Sequence, residues 1–301
     1  MISLATYASQ WLRYPERRDF LRMGMGIVAR EERCRRYWIP HLKLSREFIK
    51  RALPIEKSCD SIAVLGAGRL LDIDTEWLKR YKRIYLYDAD PGSQKVWSSF
   101  AKGVGKECSV VRSIIDLTGV LDRWSKILNG SKCSYVEELI GALKEILLIP
   151  ISLPELPECA DLLSLNLLSQ IQIYWRDRVL AYAKKHKIVK HSSDEELVLL
   201  SLNEMAVRLE EDHLKLITRK ANKRIVILTD VEFYYYEKDR VEWQVEAAIS
   251  QSAREVIQGD LLGGFKRSID DRWLWHLAPQ CIEDPSYGEI HCVNGVGYSR
   301  P

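Results

Sequence analysis

The segment that most restricts what this chain can become is a short apolar run, Ile62-Ala63-Val64-Leu65, that ends directly in Gly66-Ala67-Gly68. An uncharged run entering a glycine turn reads as a buried parallel strand, because a strand covered on both faces has no polar side to alternate with. Residues without a side chain at the turn permit left-handed backbone and the close approach of a ligand. A helix is expected next, over residues 70–80. A second strand, Arg83-Ile84-Tyr85-Leu86-Tyr87, then ends at Asp88. Asp88 therefore sits at the tip of the neighbouring strand, about 20 residues after the glycines, where an acidic side chain meets the ribose of a nucleotide-like cofactor. The plain alternative is a tight strand-to-helix turn with no ligand.

The alternation continues. Residues 94–101 have helical spacing, Gly103 and Gly105 break the chain, and Cys108-Ser109-Val110-Val111 is a third strand. Helices are expected at 120–128 and 135–148. Pro150, Pro154 and Pro157 mark a loop before a fourth strand at 160–166. Helices at 176–185 and 195–220 precede Arg224-Ile225-Val226-Ile227-Leu228-Thr229, a β-branched fifth strand. Residues 273–277 and 289–293 alternate like a closing antiparallel pair. Strands interleaved with helices predict an α/β fold: a Rossmann-like, mostly parallel seven-stranded sheet with helices on both faces. Residues 1–57 form an N-terminal helical extension, expected as three helices punctuated by Pro15, Pro40 and Pro54. The division is thus a helical lid or cap at 1–57 and a cofactor-binding domain at 58–301.

On these pieces the sequence resembles the class I S-adenosylmethionine-dependent methyltransferases, from about residue 61 onward. Val64-Leu65-Gly66-Ala67-Gly68-Arg69 is similar to the first motif of that family and Tyr87-Asp88-Ala89-Asp90 to the second. Asp116 follows the third strand, and residues 161–170 resemble the fourth motif. The closing strand pair resembles the family's sixth and antiparallel seventh strands. The resemblance implies S-adenosylmethionine as cofactor and S-adenosylhomocysteine as product. Gly66 and Gly68 would face the methionine part, Asp88 would hold the ribose, Asp116 would meet the adenine amino group, and Asn166 would lie near the sulfonium and incoming substrate, with Ala67, Arg69 and Ala89 also in the cofactor site. Two positions depart from the pattern: Val64 stands where many members have an acid, and Leu70 where many have a third glycine. Arg69 either offsets the lost acid by pairing with the methionine carboxylate or points to solvent from a helical turn.

Other cofactor readings fare worse. A dinucleotide dehydrogenase needs its third glycine at Leu71, whose side chain obstructs helix packing against a pyrophosphate. Tyr234 and Lys238 have the Tyr-x-x-x-Lys spacing of an NAD(P)-dependent reductase, but far from an N-terminal glycine turn; Phe233, Tyr234, Tyr235 and Tyr236 read instead as an aromatic wall after the fifth strand. No P-loop occurs. A non-catalytic binding or assembly module on a degenerate methyltransferase fold is the reading that Val64 and Leu70 favour.

Methyl transfer asks the protein to align a nucleophile, exclude water and, where needed, take a proton. Histidine is the side chain suited to proton transfer near neutral pH, Asp230 closes the fifth strand, and Tyr234 lies near it, so His213, His41, Asp230 and Tyr234 are the candidate catalytic residues. The Asn/Asp-Pro-Pro-aromatic signature of nucleobase methylation is missing after the fourth strand, where Ser164-Leu165-Asn166-Leu167 stands. The acceptor is therefore expected to be a small molecule or peptide rather than nucleic acid.

A net charge of +3 agrees with that expectation, although residues 1–57 carry thirteen Lys or Arg against six Asp or Glu. That local excess is either a solvated helical face or the mouth of a site attracting anions. The same helices are candidates for a lid over the substrate and for a homodimer surface. Seven widely spaced cysteines, no CxxC and no signal-peptide pattern predict reduced thiols, no metal site and a cytoplasmic protein. No apolar run is long enough to span a membrane.

Overall fold

Strand β1 (Cys59–Leu65) is uncharged near its end because both its faces are covered. Ala63 and Leu65 enter the core on one side of the sheet, Ile62 and Val64 the core on the other, and all four are fully buried. The structure is a computed structural model and describes residues 4–54, 59–121, 123–124, 133–148, 156–237 and 244–301.

Ahead of β1 the three expected helices are two. Helix α1 (Leu4–Arg13) and a 3-10 turn at Pro15–Arg17 lead into α2 (Arg18–Ala52), one helix of 35 residues with Pro40 inside it. Proline removes one helical hydrogen bond and crowds the preceding turn. Here Pro40 is exposed, and packing on both sides of it holds the helix together. Cys34, Trp38, His41, Ser45, Phe48 and Ala52 recur every three or four residues and are all buried. Trp38 Nε1 donates to the carbonyl of Leu277 at 2.9 Å, just before the proline.

Strand β2 (Tyr81–Asp88) follows, but the helix expected at 70–80 is only one turn, α3 (Thr75–Leu78). Leu70 takes a left-handed φ of 59°, which no helix tolerates, and Asp74 starts α3 by accepting from the N–H groups of Glu76 and Trp77. Then come α4 (Gln94–Lys102), β3 (Ser109–Ile114), α5 (Val136–Leu148), β4 (Cys159–Leu165), α6 (Leu167–Gln170), α7 (Ile173–Lys185), α8 (Ser192–Lys220) and β5 (Ala221–Tyr236). Strand β6 (Gln244–Ala247), helix α9 (Gln251–Gln258), and strands β7 (Leu261–Leu262), β8 (Phe265–Ala278) and β9 (Gly288–Ser299) complete the chain. Most of the expected helix at 120–128, along with Pro150, Pro154 and Lys238, lies outside the described residues.

The sheet runs β3-β2-β1-β4-β5-β9-β8-β7, with β6 paired to β5, so it has nine strands among the described residues where seven were expected. The two additions are short: β6 has four residues and β7 two. Strands β3 to β5 of that order are all parallel, and β9 inserts antiparallel between β5 and β8. One face is covered by α5, α7, α8 and α9, the other by α2, α3 and α4. At the amino ends of the strands, buried Asp161 accepts two hydrogen bonds from the Arg224 guanidinium, at 2.8 and 2.6 Å, and one from Tyr81 at 2.8 Å. A buried carboxylate so fully paired ties β2, β4 and β5 at that end. The carboxyl ends stay open, and the crevice there holds the candidate site.

Candidate functional site

Parallel strands present their carboxyl ends at one edge, and a cavity of about 570 Å³ lies along it. Cavities of this size take small molecules and cofactors. Its floor at the β1–β2 end is backbone. Gly66 has φ 70°, and a Cβ there would lie 2.4 Å from the carbonyl oxygen of Leu165, so this glycine is required by both conformation and space. Gly68 has φ 44°, but a Cβ there meets nothing closer than 3.9 Å, so the surface above it is open for approach. The Trp97 indole fixes the turn by donating to the Gly68 carbonyl at 2.8 Å, and the Ala67 N–H donates to Tyr87 O at 3.0 Å.

Asp88 stands where the sequence places it, lining the cavity beside this turn. Its Oδ2 accepts from Gly68 N–H and its Oδ1 from Asp90 N–H, each at 2.8 Å. Burial raises its affinity for a proton, and these N–H groups offset part of that rise. Asp90, two residues on, is pushed up to about 7 by burial and by the negative charge of Asp88. Helix α2 passes close to it: a Cβ on Gly24 would come within 2.1 Å of Asp90 Oδ2. Leu70 takes the left-handed backbone that a third glycine supplies elsewhere, with its side chain buried. The turn is therefore kept despite the substitution. Val64, the other departure, lies wholly in the core under α2, where an acid would be unpaired.

The remaining cofactor candidates, Ala89, Asp116, Asn166 and Arg69, also line the cavity. Asp116 is buried and caps the segment after it, accepting from Thr118 N–H at 2.9 Å, Thr118 Oγ1 at 2.6 Å and Leu121 N–H at 2.9 Å. Asn166 has a left-handed φ of 52°, and its buried Oδ1 has no hydrogen-bond partner among the described residues. Arg69 does not point freely to solvent: its guanidinium pairs with Glu31 of α2 at 3.4 Å, while its buried Nε is unpartnered.

The four catalytic candidates separate. His41 lines the cavity with both ring nitrogens engaged: Nδ1 accepts from Trp273 Nε1 at 3.0 Å, so Nε2 carries the proton and donates to Asp72 at 3.1 Å. Asp230 also lines it. His213 does not; it is buried behind β4 with Nε2 2.8 Å from Ser164 Oγ, and burial pushes it down to about 4. Tyr234 does not either. The aromatic wall expected after the fifth strand is part of β5, so alternate residues face opposite sides. Phe233 and Tyr235 line the cavity, whereas the Tyr234 hydroxyl donates to Glu232 and is pushed up to about 12 by that bond.

Sequence reasoning missed the group opposite the glycine turn. His291 of β9 lies between two carboxylates, with Nε2 2.9 Å from Glu289 Oε1 and Nδ1 3.1 Å from Asp230 Oδ2. The first contact is a hydrogen bond; the second is an ion contact without hydrogen-bond alignment. Burial disfavours the imidazolium, but Asp230 and Glu289 together prevail and push His291 up to about 9. Ser169 Oγ donates to the same Asp230 Oδ2 at 3.3 Å, and Asp230 Oδ1 is buried without a partner among the described residues. The signal available in the sequence was the β9 alternation, which puts Glu289 and His291 on one side. What it lacked was the pairing register with β5.

Neither the family models nor the curated proteins contain a match to this sequence. Among solved structures the chain is similar to the magnesium protoporphyrin IX methyltransferase of Synechocystis PCC 6803 with bound SAM, at 9% identity, TM-score 0.41, covering 90% of each chain. It is also similar to the N-methyltransferase NodS of Bradyrhizobium japonicum with S-adenosyl-L-homocysteine, at 6% identity, TM-score 0.39 and 88% of each chain. A third is the methyltransferase in a complex with the Haloferax volcanii Trm112 activator, at 11% identity, TM-score 0.39, covering 95% of this chain and 97% of that one. Likenesses of this size carry no argument by themselves. The strand order is the mostly parallel arrangement that the sequence predicts: β3-β2-β1-β4-β5 run parallel, and β9 inserts antiparallel between β5 and β8.

Proposed function

We propose that this protein is an S-adenosylmethionine-dependent methyltransferase acting on a small-molecule or peptide acceptor. The observation that carries the reading is Asp88, held by the Gly68 and Asp90 N–H groups beside an open glycine turn at the carboxyl edge of the sheet. A carboxylate has about four acceptor positions, so these N–H groups leave Asp88 capacity for ribose hydroxyls. Gly66, Ala67 and Gly68 give the methionine part close backbone contact, and Arg69, with its unpartnered Nε, meets the carboxylate. Asp116 and Ala89 flank the adenosine. Asn166 lies toward the reacting centre.

The cofactor supplies an electrophilic methyl group on a positively charged sulfur. The chain's own residues bind, orient and exclude water. Helix α2 covers the crevice with Phe20, Met23, Ile27, Trp38 and Leu42. Residues 1–57 act as the lid, and slower hydrogen exchange along α2 when S-adenosylhomocysteine is added is the expected sign of it. His41, with both nitrogens committed, positions the Asp72 segment and is not a general base.

Calorimetry with S-adenosylmethionine, S-adenosylhomocysteine and NADH tests the cofactor. Binding of both sulfur compounds without NADH is the expected result. Binding of NADH alone revives a reductase, and binding of none leaves a non-catalytic module.

A further inference from the structure

The wall of the cavity built by β4, β5 and β9 has two buried hydrogen-bond acceptors that no donor meets among the described residues. Asp230 Oδ1 and Asn166 Oδ1 are both without partners, on residues that line the cavity, and Asp230 is only 1% exposed. A buried acceptor left unpaired is costly, so both oxygens select for a ligand that brings N–H or O–H groups. Beside them two carboxylates, Asp230 and Glu289, flank the imidazolium of His291. The rest of the wall is aromatic, with Phe233 and Trp275 lining the cavity at ring distances of 4.4 and 5.5 Å from His291.

We infer that the methyl acceptor is a primary amine carried on an apolar group, its two N–H bonds taken by Asp230 Oδ1 and Asn166 Oδ1. This rests on the methyltransferase reading above. An acidic acceptor brings negative charge and no donor toward Asp230. An alcohol brings one donor for two acceptors and must shed its proton beside a carboxylate as it attacks. A primary amine satisfies both oxygens and keeps its lone pair free. It enters as an ammonium ion and gives one proton to Asp230, which passes it to solvent. The nitrogen lone pair then forms the new N–C bond while the C–S bond breaks, its electron pair staying on sulfur. Positive charge moves from sulfur to nitrogen, toward the carboxylate and the aromatic faces, so these contacts strengthen as the reaction proceeds.

The test is calorimetry on the full-length protein saturated with S-adenosylhomocysteine, using three probes that share an aryl group: 2-phenylethylamine, 2-phenylethanol and 3-phenylpropionate. The amine is expected to bind about tenfold or more tighter than the alcohol, and the acid weakest, as charge-assisted hydrogen bonds predict. Asp230→Asn should weaken the amine about tenfold, leave the alcohol within about twofold, and leave S-adenosylhomocysteine affinity unchanged, which also reports that the variant is folded. Asn166→Gly removes the second acceptor while keeping the left-handed backbone, and should weaken the amine about fivefold. Should Asp230→Asn fail to fold, Asn166→Gly decides. No preference for the amine, or variants that bind it as well as the parent, overturns the inference alone. Failure of the parent protein to bind S-adenosylhomocysteine overturns the methyltransferase reading and this one with it.

Discussion

The two ends of the crevice are built by different means. At the β1–β2 end the surface is backbone: Gly66 and Gly68 are in left-handed conformations, and Asp88 is held by main-chain N–H groups from the same short stretch of sequence. At the β5–β9 end it is side chain: Asp230, Ser169, Glu289 and His291 come from three separate segments and hold one another by charge and a hydrogen bond. A backbone cradle offers the same groups whatever the neighbours, which suits a ligand common to a whole fold. A side-chain cluster changes with single substitutions, which suits the part of a site that selects one acceptor.

The sharpest way to break this contrast is at Gly66. Alanine there must displace the Leu165 carbonyl and hold an unfavourable φ, for a loss of about 4 kcal/mol in urea unfolding. Gly68→Ala, with the same kind of φ but open space, should cost only about 1 kcal/mol. Equal losses at the two glycines would contradict the geometry.

At the other end His291→Gln leaves Asp230 and Glu289 without their shared cation, for a loss of about 3 kcal/mol near neutral pH. Its pH dependence has a definite sign. His291 is raised above its ordinary value, so its contribution is full below about 6.5 and is lost as pH rises through about 9. His213 is depressed, so its contribution is present above about 6.5 and is lost as pH falls toward about 4. Melting curves should thus lose an alkaline limb in His291→Gln and an acid limb in His213→Gln. A parent protein whose melting temperature falls on neither side would refute both assignments.

The smallest expected effect is at Asp90. Its proton affinity is raised, so the ionised form is disfavoured by folding, and stability drops as pH rises through about 7. Asp90→Asn keeps the Oδ1 that accepts from Gly92 N–H and removes the charge. It should raise the melting temperature by about 2–4 °C near pH 8 and leave it unchanged near pH 3. A lower melting temperature near pH 8 would mean that the Asp90 charge is paired rather than merely buried.

The same division explains what the sequence made legible. The glycine turn and Asp88 were readable because strand, turn and acid are local, and Asp88 is held by N–H groups of that same stretch. So was the sheet, since β1 and β5 alternate between two cores and have no polar face. Pro40 and Leu70 misled local reasoning in opposite directions. Tertiary packing around Trp38 and His41 carried a helix through a proline, and a left-handed leucine ended one where apolar spacing looked helical. Asp230 could be placed just past the part of β5 that pairs with β4, but its partner His291 could not. That contact depends on the register between β5 and β9, which includes a bulge at Asp230–Glu232 that no local pattern announces. Tyr234 and His213 stand away from the cavity for a related reason: a residue type suited to catalysis says nothing of which face of a strand or helix it occupies.

Binding of S-adenosylhomocysteine to the parent protein and to Asp88→Ala, measured by titration calorimetry, bears most directly on the whole account. A loss of about 100-fold or more on removing the carboxylate, with an unfolding midpoint close to the parent's, is the predicted result. Equal affinity in the two proteins would contradict it.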